Sequence, residues 1–204
     1  MSLALVFPGQ GSQSVGMLGE LAAAYPSVER TFAEASNVLG YDLWHLVAAG
    51  PIERLNSTEC TQPAMLCAGI ATWRVWQELG GGPPAWVAGH SLGEFTALVC
   101  AGALDFSAAV ALVRDRGRFM QQAVPAGSGA MAALLGLDDA QAEAACLEAA
   151  QGEIVEAVNY NAPGQIVIAG TAAAVERAIA AAKARGAKRA MSLPVSVPAH
   201  SSLM

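Results

Sequence analysis

The sequence is poor in cysteine, in aromatic residues and in charged residues. Aromatic residues make up 6% and charged residues 14% of its 204 positions, whereas 54% are apolar, so the chain can bury a sizeable core as one large domain or two small ones. The cysteines form no C-x-x-C pair, which argues against a disulfide scaffold or a cysteine metal site and indicates reduced thiols of a cytosolic protein. They are Cys60, Cys67, Cys100 and Cys146.

Basic residues are also scarce. The net charge of -6 argues against nucleic acid or an anionic membrane as the main partner. The N-terminus lacks the basic flank and apolar core of a signal peptide. The longest apolar stretch, residues 95–113, is interrupted by Gly102 and by Asp105, a natural helix N-cap, so it predicts two buried helices rather than a membrane span. We expect a cytoplasmic protein.

The first 123 residues alternate between strand and helix patterns, which predicts a parallel sheet covered by helices on both faces. Pro63 is a residue type that commonly begins a helix, so we place a helix start there. The predicted strands are residues 3–7 and 85–88, and the predicted helical regions are residues 17–47, 64–79, 94–101 and 106–122.

After a linker-like stretch at residues 124–129 the pattern changes. It predicts strand, helix, hairpin, helix and strand, the βαββαβ order of a ferredoxin-like unit. The following "VPAHSSLM" fits neither pattern and is interpreted as the chain returning to the first domain. The predicted domains are a core of residues 1–123 plus 198–204 and a subdomain of residues 124–197. The subdomain elements are residues 130–135, 138–150 with Asp138 as cap, 154–160, 165–169, 171–185 and 188–193.

The stretch "GHSLGE" places Ser91 between Gly89 and Gly93, after a predicted strand and before a predicted helix. This is the pattern of a nucleophile elbow, in which glycines allow a tight turn that exposes the serine hydroxyl. The backbone N–H of Leu92 could then help to bind an oxyanion. The alternative is a plain strand-to-helix turn with a serine cap.

A nucleophilic serine needs a base, and there are three histidines. His90 adjoins the serine and is predicted to be a packed residue shaping the elbow, and His45 lies within an amphipathic helix. His200 follows Pro198 in a loop and is the best candidate base, against the alternative of an ordinary loop histidine.

Arg116 bears on whether such a serine hydrolyses or transfers its acyl group. A guanidinium pairs bidentately with a carboxylate, so it would select an acyl group with a free carboxylate at its far end. The alternative is a solvated helix arginine, because Arg114, Arg116 and Arg118 alternate along one helix.

Six motifs, taken together and in this order, resemble the malonyl-CoA:acyl carrier protein transacylases. The resemblance covers the whole chain and implies an α/β-hydrolase-like parallel-sheet core with an inserted ferredoxin-like subdomain. The motifs are "FPGQGSQ" from Phe7, "TQPA" from Thr61, "GHSLGE" from Gly89, "RGRFMQ" from Arg116, "NYNAPGQIVIAG" from Asn159 and "VPAHSSLM" from Val197.

The resemblance also implies the roles of individual residues. Ser91 would attack malonyl-CoA to form a malonyl-serine, His200 would act as the base and Arg116 would hold the malonyl carboxylate. The thiol of acyl carrier protein would then take the malonyl group, as a step of fatty-acid biosynthesis with ping-pong kinetics.

The same resemblance assigns the remaining site residues. The backbone N–H groups of Gln10 and Leu92 would form the oxyanion hole, and Gln62 would belong to the substrate site. No metal or further cofactor is implied, since the CoA thioester is itself the substrate, and we expect a monomer. Family members continue beyond the position of Met204, so the chain is expected to be truncated and to lack groups that orient the histidine.

Three other functions remain open. An acyltransferase domain of polyketide synthesis shares the serine and arginine motifs, although a start at Met1 without an upstream linker favours a discrete enzyme. A thioesterase-type hydrolase would leave Arg116 and the "GQGSQ" loop without a role. A binding-only fragment would retain carrier protein without forming an acyl-serine. The basic run of Lys183, Arg185, Lys188 and Arg189 could dock an acidic carrier protein, but complementing a helix dipole is the favoured explanation.

Overall fold

The computed structural model describes residues 2–125, 127–195 and 197–204. It is a mixed α/β structure with one parallel and one antiparallel sheet, as predicted. The chain divides into a first unit, Met1–Arg118, and a second unit, Phe119–Met204. This division places residues 198–204 in the second unit, and the predicted domain boundaries stay a prediction.

The sheet of the first unit has two parallel strands, β1 (Ala4–Phe7) and β2 (Trp86–Gly89), whose first residues lie opposite each other. Helices supply the rest of the unit. Asp105 begins the last of them by accepting a hydrogen bond from the N–H of Ala108 at 2.9 Å, as predicted. The helices are α1 (Gly19–Ala24), α2 (Ser27–Leu39), α3 (Leu43–Ala49), α4 (Ile52–Leu55), α5 (Thr58–Glu78), α6 (Gly93–Cys100) and α7 (Phe106–Ala123).

The prediction that a helix begins at Pro63 is wrong. Helix α5 begins at Thr58, and the carbonyl of Ser57 accepts the first hydrogen bonds, from Cys60 and Thr61. Pro63 lies inside the helix, close to its start, where the missing N–H removes a single helical hydrogen bond. The proline is therefore tolerated near the start of the helix without marking its first residue.

The core of the first unit lies among its helices. Phe32, Leu43, Leu66 and other side chains of α2, α3, α5 and α7 form a large buried cluster. The sheet is covered less completely than predicted, because Val6 is 74% exposed on β1. The expectation of helices on both faces is therefore wrong for this chain, in which the strands present apolar side chains to solvent.

The second unit follows the predicted βαββαβ order. The elements are β3 (Gly129–Leu135), α8 (Asp139–Ala150), β4 (Val155–Ala162), β5 (Gln165–Thr171), α9 (Ala172–Ala184) and β6 (Arg189–Ser192). The four strands form an antiparallel sheet in the order β4-β5-β3-β6, and Asp138 starts helix α8 with a capping box to Gln141.

Both faces of this second sheet bury apolar residues. The helix-side cluster joins Leu134, Ile166 and Ile168 to α8 and α9. Strand residues alternate between faces, so the neighbouring positions form a smaller cluster on the opposite face. We call it the far-face cluster; it contains Met131, Val167 and Ala169, with Val158, Leu193, Val195 and Ala199 packed against it.

The four cysteines are free thiols, and Cys60, Cys67 and Cys146 are buried. Burial raises the pKa of Cys100, the last residue of α6, to about 11, and raises that of Cys146 to about 11 as well. Within the described ranges, no helix is long and apolar enough to cross a membrane.

Candidate active site

Ser91 lies in the turn between β2 and α6 with a φ of +51°. Residues with a side chain rarely adopt this left-handed conformation, and a strained strand-to-helix turn is the hallmark of a nucleophile elbow. Hydrogen bonds close the turn, from the N–H of Gly93 to the carbonyl of His90 at 2.9 Å and from that of Glu94 to Ser91 at 3.2 Å. The elbow geometry predicted from "GHSLGE" is thus present.

The two flanking glycines are required by close backbone packing. A Cβ on Gly89 would overlap the carbonyl of Gly93, and a Cβ on Gly93 would overlap the carbonyl oxygen of Phe7. The N–H of His90 also donates to that oxygen at 3.0 Å. The end of β1 therefore lies directly against the elbow.

The loop after β1 brings Gln10 to the same place. A Cβ on the preceding Gly9 would lie 2.9 Å from the carbonyl oxygen of His90, so loop and elbow are in contact. The side-chain amide of Gln10 donates to the hydroxyl of Thr58, at the start of α5, at 3.3 Å. Leu92 buries its side chain, with 1% exposed. The oxyanion roles of Gln10 and Leu92 stay predictions.

Helix α7 carries Arg116 to the nucleophile elbow. Its guanidinium donates to the hydroxyl oxygen of Ser91 at 3.4 Å and lies 5.8 Å from the centre of the Phe95 ring. The helix approaches closely because residue 117 is glycine, where a Cβ would lie 2.7 Å from the carbonyl oxygen of Thr58. Burial lowers the pKa of Arg116, which nevertheless remains charged at neutral pH.

The neighbouring arginines behave differently. Arg114 and Arg118 both pair with Asp115, at 3.0 Å and 3.6 Å. Arg116 instead extends towards Ser91, so the alternative of a purely solvated helix arginine does not describe it. Helix α7 thus carries one arginine that contacts Ser91 and two arginines that form surface ion pairs with Asp115.

The other candidate residues have different surroundings. His90 is exposed, so the prediction that it is a packed residue is wrong, although its backbone shapes the elbow. His45 is exposed on α3. Gln62 is fully buried in α5, which favours an indirect role, and its place in the substrate site stays a prediction.

His200 belongs to the second unit and is exposed after Pro198, with a φ of +67°. That His200 acts as the base for Ser91 stays a prediction. Among the described residues, no three His, Cys, Asp or Glu side chains form a group that could hold a metal ion.

Sequence reasoning did not identify the residues that support these side chains. The hydroxyl of Thr58 accepts a hydrogen bond from the amide of Gln10, and the ring of Phe95 lies beside Arg116. The absence of a side chain at Gly117 lets α7 pack closely against the start of α5. The glycine within "RGRF" was a usable signal, since a helix-interior glycine often marks close packing. The contact of Thr58 joins positions 48 residues apart, and no local pattern reveals it.

A nucleophile elbow with a cation beside it, on a mixed α/β fold, is typical of acyl-transferring enzymes. Comparison with known families agrees: the chain belongs to the acyl transferase domain family, which matches residues 4–204.

Two similar proteins within that family carry the same name. Malonyl CoA-acyl carrier protein transacylase of Escherichia coli (strain K12) is 65% identical over 201 residues, covering 98% of this chain and 65% of that protein. The protein of the same name from Bacillus subtilis (strain 168) is 50% identical over 203 residues, covering 99% of this chain and 64% of its own length. This chain therefore spans about 65% of the length of these curated relatives.

Solved structures agree in shape. A malonyl-transacylase in complex with a type II polyketide synthase acyl-carrier protein superposes with a TM-score of 0.97 at 62% identity, covering 100% of this chain and 66% of that one. The acyl carrier protein S-malonyltransferase of Vibrio cholerae gives 0.92 at 62% identity, with the same coverage.

Proposed function

We propose that this chain transfers a malonyl group from malonyl-CoA to the phosphopantetheine thiol of acyl carrier protein, in fatty-acid biosynthesis. The observation that carries the proposal is the guanidinium of Arg116, 3.4 Å from the hydroxyl oxygen of Ser91. A cation so close to a nucleophile favours acyl groups with a carboxylate at their far end. The relatives named for this activity support the same substrate.

In the first half-reaction the hydroxyl oxygen of Ser91 attacks the thioester carbonyl carbon of malonyl-CoA. His200 takes the serine proton, and the carbonyl oxygen becomes an oxyanion that accepts hydrogen bonds from the backbone N–H groups of Gln10 and Leu92. As the intermediate collapses, the carbon–sulfur bond breaks and the CoA sulfur takes the proton from His200. The product is a malonyl-serine ester with its carboxylate on Arg116.

In the second half-reaction the carrier-protein thiol attacks the ester, with His200 again transferring the proton. The carbon–oxygen bond to Ser91 breaks, which regenerates the enzyme and gives ping-pong kinetics. No step needs a metal or a redox cofactor. Malonyl-CoA and acyl carrier protein are the proposed partners, and a monomer in the cytoplasm is the proposed state.

We propose for the architecture an α/β-hydrolase-like core with an inserted ferredoxin-like subdomain. The βαββαβ order and the strand order β4-β5-β3-β6 support the subdomain. The parallel β1–β2 pair followed by the elbow supports the core. Residues 124–197 remain the proposed subdomain, with residues 1–123 and 198–204 in the core.

The proposal is tested by mass spectrometry of the Ser91 peptide after brief mixing with malonyl-CoA or acetyl-CoA. We expect a malonyl adduct, weak acetyl labelling, and no adduct for Ser91→Ala. Arg116→Ala should slow malonyl labelling on the order of a hundredfold, because it removes charge-assisted hydrogen bonds to the carboxylate, and should affect acetyl labelling little.

Arg114→Ala is the matched control, because it removes a cation from the same helix that pairs with Asp115. It should leave malonyl labelling unchanged. Equal labelling by both thioesters, unaffected by Arg116→Ala, would refute the carboxylate clamp. Absence of any Ser91 adduct would refute the transacylase activity of this chain.

A role with polyketide carrier proteins is a second candidate, supported by the likeness to a malonyl-transacylase bound to a type II polyketide synthase carrier protein. Transfer from malonyl-labelled enzyme to purified carrier proteins of each kind separates the two. Faster transfer to the fatty-acid carrier supports the first proposal, and the reverse result supports the second.

A further inference from the structure

The backbone of His200 is held in a conformation that needs support. Its φ of +67° lies in the left-handed region, which side-chain-bearing residues adopt at a cost in free energy. Such strain persists only where surrounding contacts maintain it. The described contacts on either side of His200 show what holds the adjoining chain.

Apolar packing fixes the chain before His200. Val197 is 1% exposed and Pro198 is buried. A Cβ on Gly129 would overlap the Pro198 ring, so the start of β3 lies directly against it. Ala199 then packs against the far-face cluster. Pro198 and Ala199, the two residues that precede His200, therefore pack against the second unit's sheet.

A carboxylate fixes the chain after His200. The backbone N–H of Ser202 donates to one side-chain oxygen of Glu156 at 2.7 Å, and the hydroxyl of Ser202 donates to the other at 2.8 Å. The hydroxyl of Ser201 closes the turn by donating to the carbonyl of Pro198 at 2.7 Å. Because two donors of one residue bind both oxygens of one carboxylate, these hydrogen bonds attach this end of the chain to β4.

The position of Glu156 in β4 explains on which face of the sheet its side chain lies. Its neighbours Val155 and Ala157 pack into the helix-side cluster. Because side chains alternate along a strand, Glu156 lies on the opposite face, where it is paired across the sheet with Ala169 of the far-face cluster. The edge strand β4, which buries its neighbouring residues against the helices, thus presents the carboxylate to the His200 segment.

We propose that Glu156 is a positioning residue for His200, holding it in its left-handed conformation through the two hydrogen bonds to Ser202. The catalytic meaning of this inference rests on the proposed function of His200 as the base. The carboxylate binds Ser202, which is 46 residues from it in sequence and two residues after His200, and it takes no part in the chemical steps described above.

The conformational part is tested by NMR on the isotopically labelled 204-residue chain. In Glu156→Ala we expect the ¹⁵N heteronuclear NOE of residues 200–203 to fall and the His200 HN–Hα coupling to change as the backbone leaves the left-handed region. Glu156→Gln should behave like the original chain, because its amide can accept from the Ser202 N–H and donate to the Ser202 hydroxyl. Ser202→Ala, which removes one of the two bonds, should be intermediate.

Glu143→Ala is the matched control. Glu143 is an exposed glutamate of the second unit that accepts a hydrogen bond from the Tyr160 hydroxyl at 2.6 Å, whereas Glu156 is half-buried. Its removal should leave the His200 signals unchanged. Unchanged His200 signals in Glu156→Ala, or equal changes in Glu143→Ala, would overturn the proposal.

The catalytic part is tested by the rate of malonyl transfer to Ser91. Glu156→Ala should lower the rate constant roughly tenfold with malonyl-CoA affinity unchanged, and Glu156→Gln should restore it. Altered His200 signals with an unaltered rate would overturn the positioning role. A parent chain that never forms a malonyl-serine would refute the proposed function instead, and the NMR comparison would still decide whether Glu156 holds His200.

Discussion

The four-stranded sheet of the second unit buries apolar residues on both faces, whereas the two-stranded sheet of the first exposes Val6 and Trp86 to solvent. In the first unit the main buried cluster is helical, and it includes no residue of β1 or β2 within the described ranges. The two sheets of this chain therefore differ in how completely apolar packing covers them.

The difference shows how each proposed catalytic residue is supported. Ser91 depends on close backbone contacts at Gly89 and Gly93 and on the neighbouring β1 loop. His200 depends on a chain segment that is attached to the second unit's sheet at two points. Before His200, Pro198 packs against the start of β3, and after it, Ser202 hydrogen-bonds to Glu156 of β4. Steric overlap at a close backbone contact should thus be damaging in both units, whereas loss of side-chain packing should be more damaging in the second sheet than in the first.

The largest effect is expected from placing a side chain where backbone contacts require glycine. Gly93→Ala would drive a methyl group into the carbonyl of Phe7 and should cost about 3 kcal/mol or more in unfolding free energy. Gly170→Ala would do the same against the carbonyl of Ile154 in the second unit. Hydrogen exchange read by mass spectrometry should rise mainly in the unit that carries the substitution.

Gly19→Ala serves as the control for both glycine variants. A Cβ there meets nothing within 4 Å, and alanine suits a helix better than glycine, so no loss of stability is expected. Exchange that rises equally in both units for Gly93→Ala and Gly170→Ala would contradict the contrast between the two units.

A smaller effect is expected from trimming matched valines in the two sheets. Val155→Ala removes a side chain that is 6% exposed within the helix-side cluster and should cost about 2 kcal/mol. Val6→Ala removes one that is 74% exposed and should cost less than about 0.5 kcal/mol. Equal destabilisation in urea unfolding would show that β1 is packed as firmly as β4.

The smallest effect concerns exposed carboxylates. Hydrogen bonds from Arg177 and then Thr171 lower the pKa of Glu153 in the second unit. A pKa that is lower in the folded state contributes stability above the unfolded value, and this contribution is lost as pH falls through the folded value. Between about pH 5 and about pH 3 the melting temperature should therefore fall less in Glu153→Gln than in the parent chain.

Asp115 is the counterpart in the first unit, where a hydrogen bond from Arg114 lowers its pKa. The same sign applies, so Asp115→Asn should also reduce the loss of stability on acidification. A steeper acid dependence in either variant would contradict the assignment of these ion pairs as stabilising.

Local patterns predicted local structure well. The elbow at Ser91 and the caps at Asp105 and Asp138 each depend on residues a few positions apart, and all three are present. The predicted start of α5 was wrong because a proline near the start of a helix costs only one helical hydrogen bond, so Pro63 does not have to be the first helical residue. A single residue type such as proline is therefore not enough to predict where a helix begins.

Long-range contacts were beyond sequence reasoning. Arg116 was identified by its motif, but only the fold shows that Gly117 lets its helix approach Ser91. The exposure of Val6 depends on what packs against β1, and the hold of Glu156 on Ser202 joins positions 46 residues apart. Periodicity in one sequence carries no information about such pairs.

The raised pKa values of Cys100 and Cys146 have a consequence for chemical selectivity. Thioesters react readily with thiolates, and a thiol whose pKa is about 11, such as Cys100 on the helix that follows Ser91, is ionised in only about one molecule in ten thousand at neutral pH. The thiols of Cys100 and Cys146 therefore compete poorly for an incoming acyl group. An acyl adduct at the elbow would accordingly report oxygen chemistry at Ser91 rather than exchange with the thiol of Cys100.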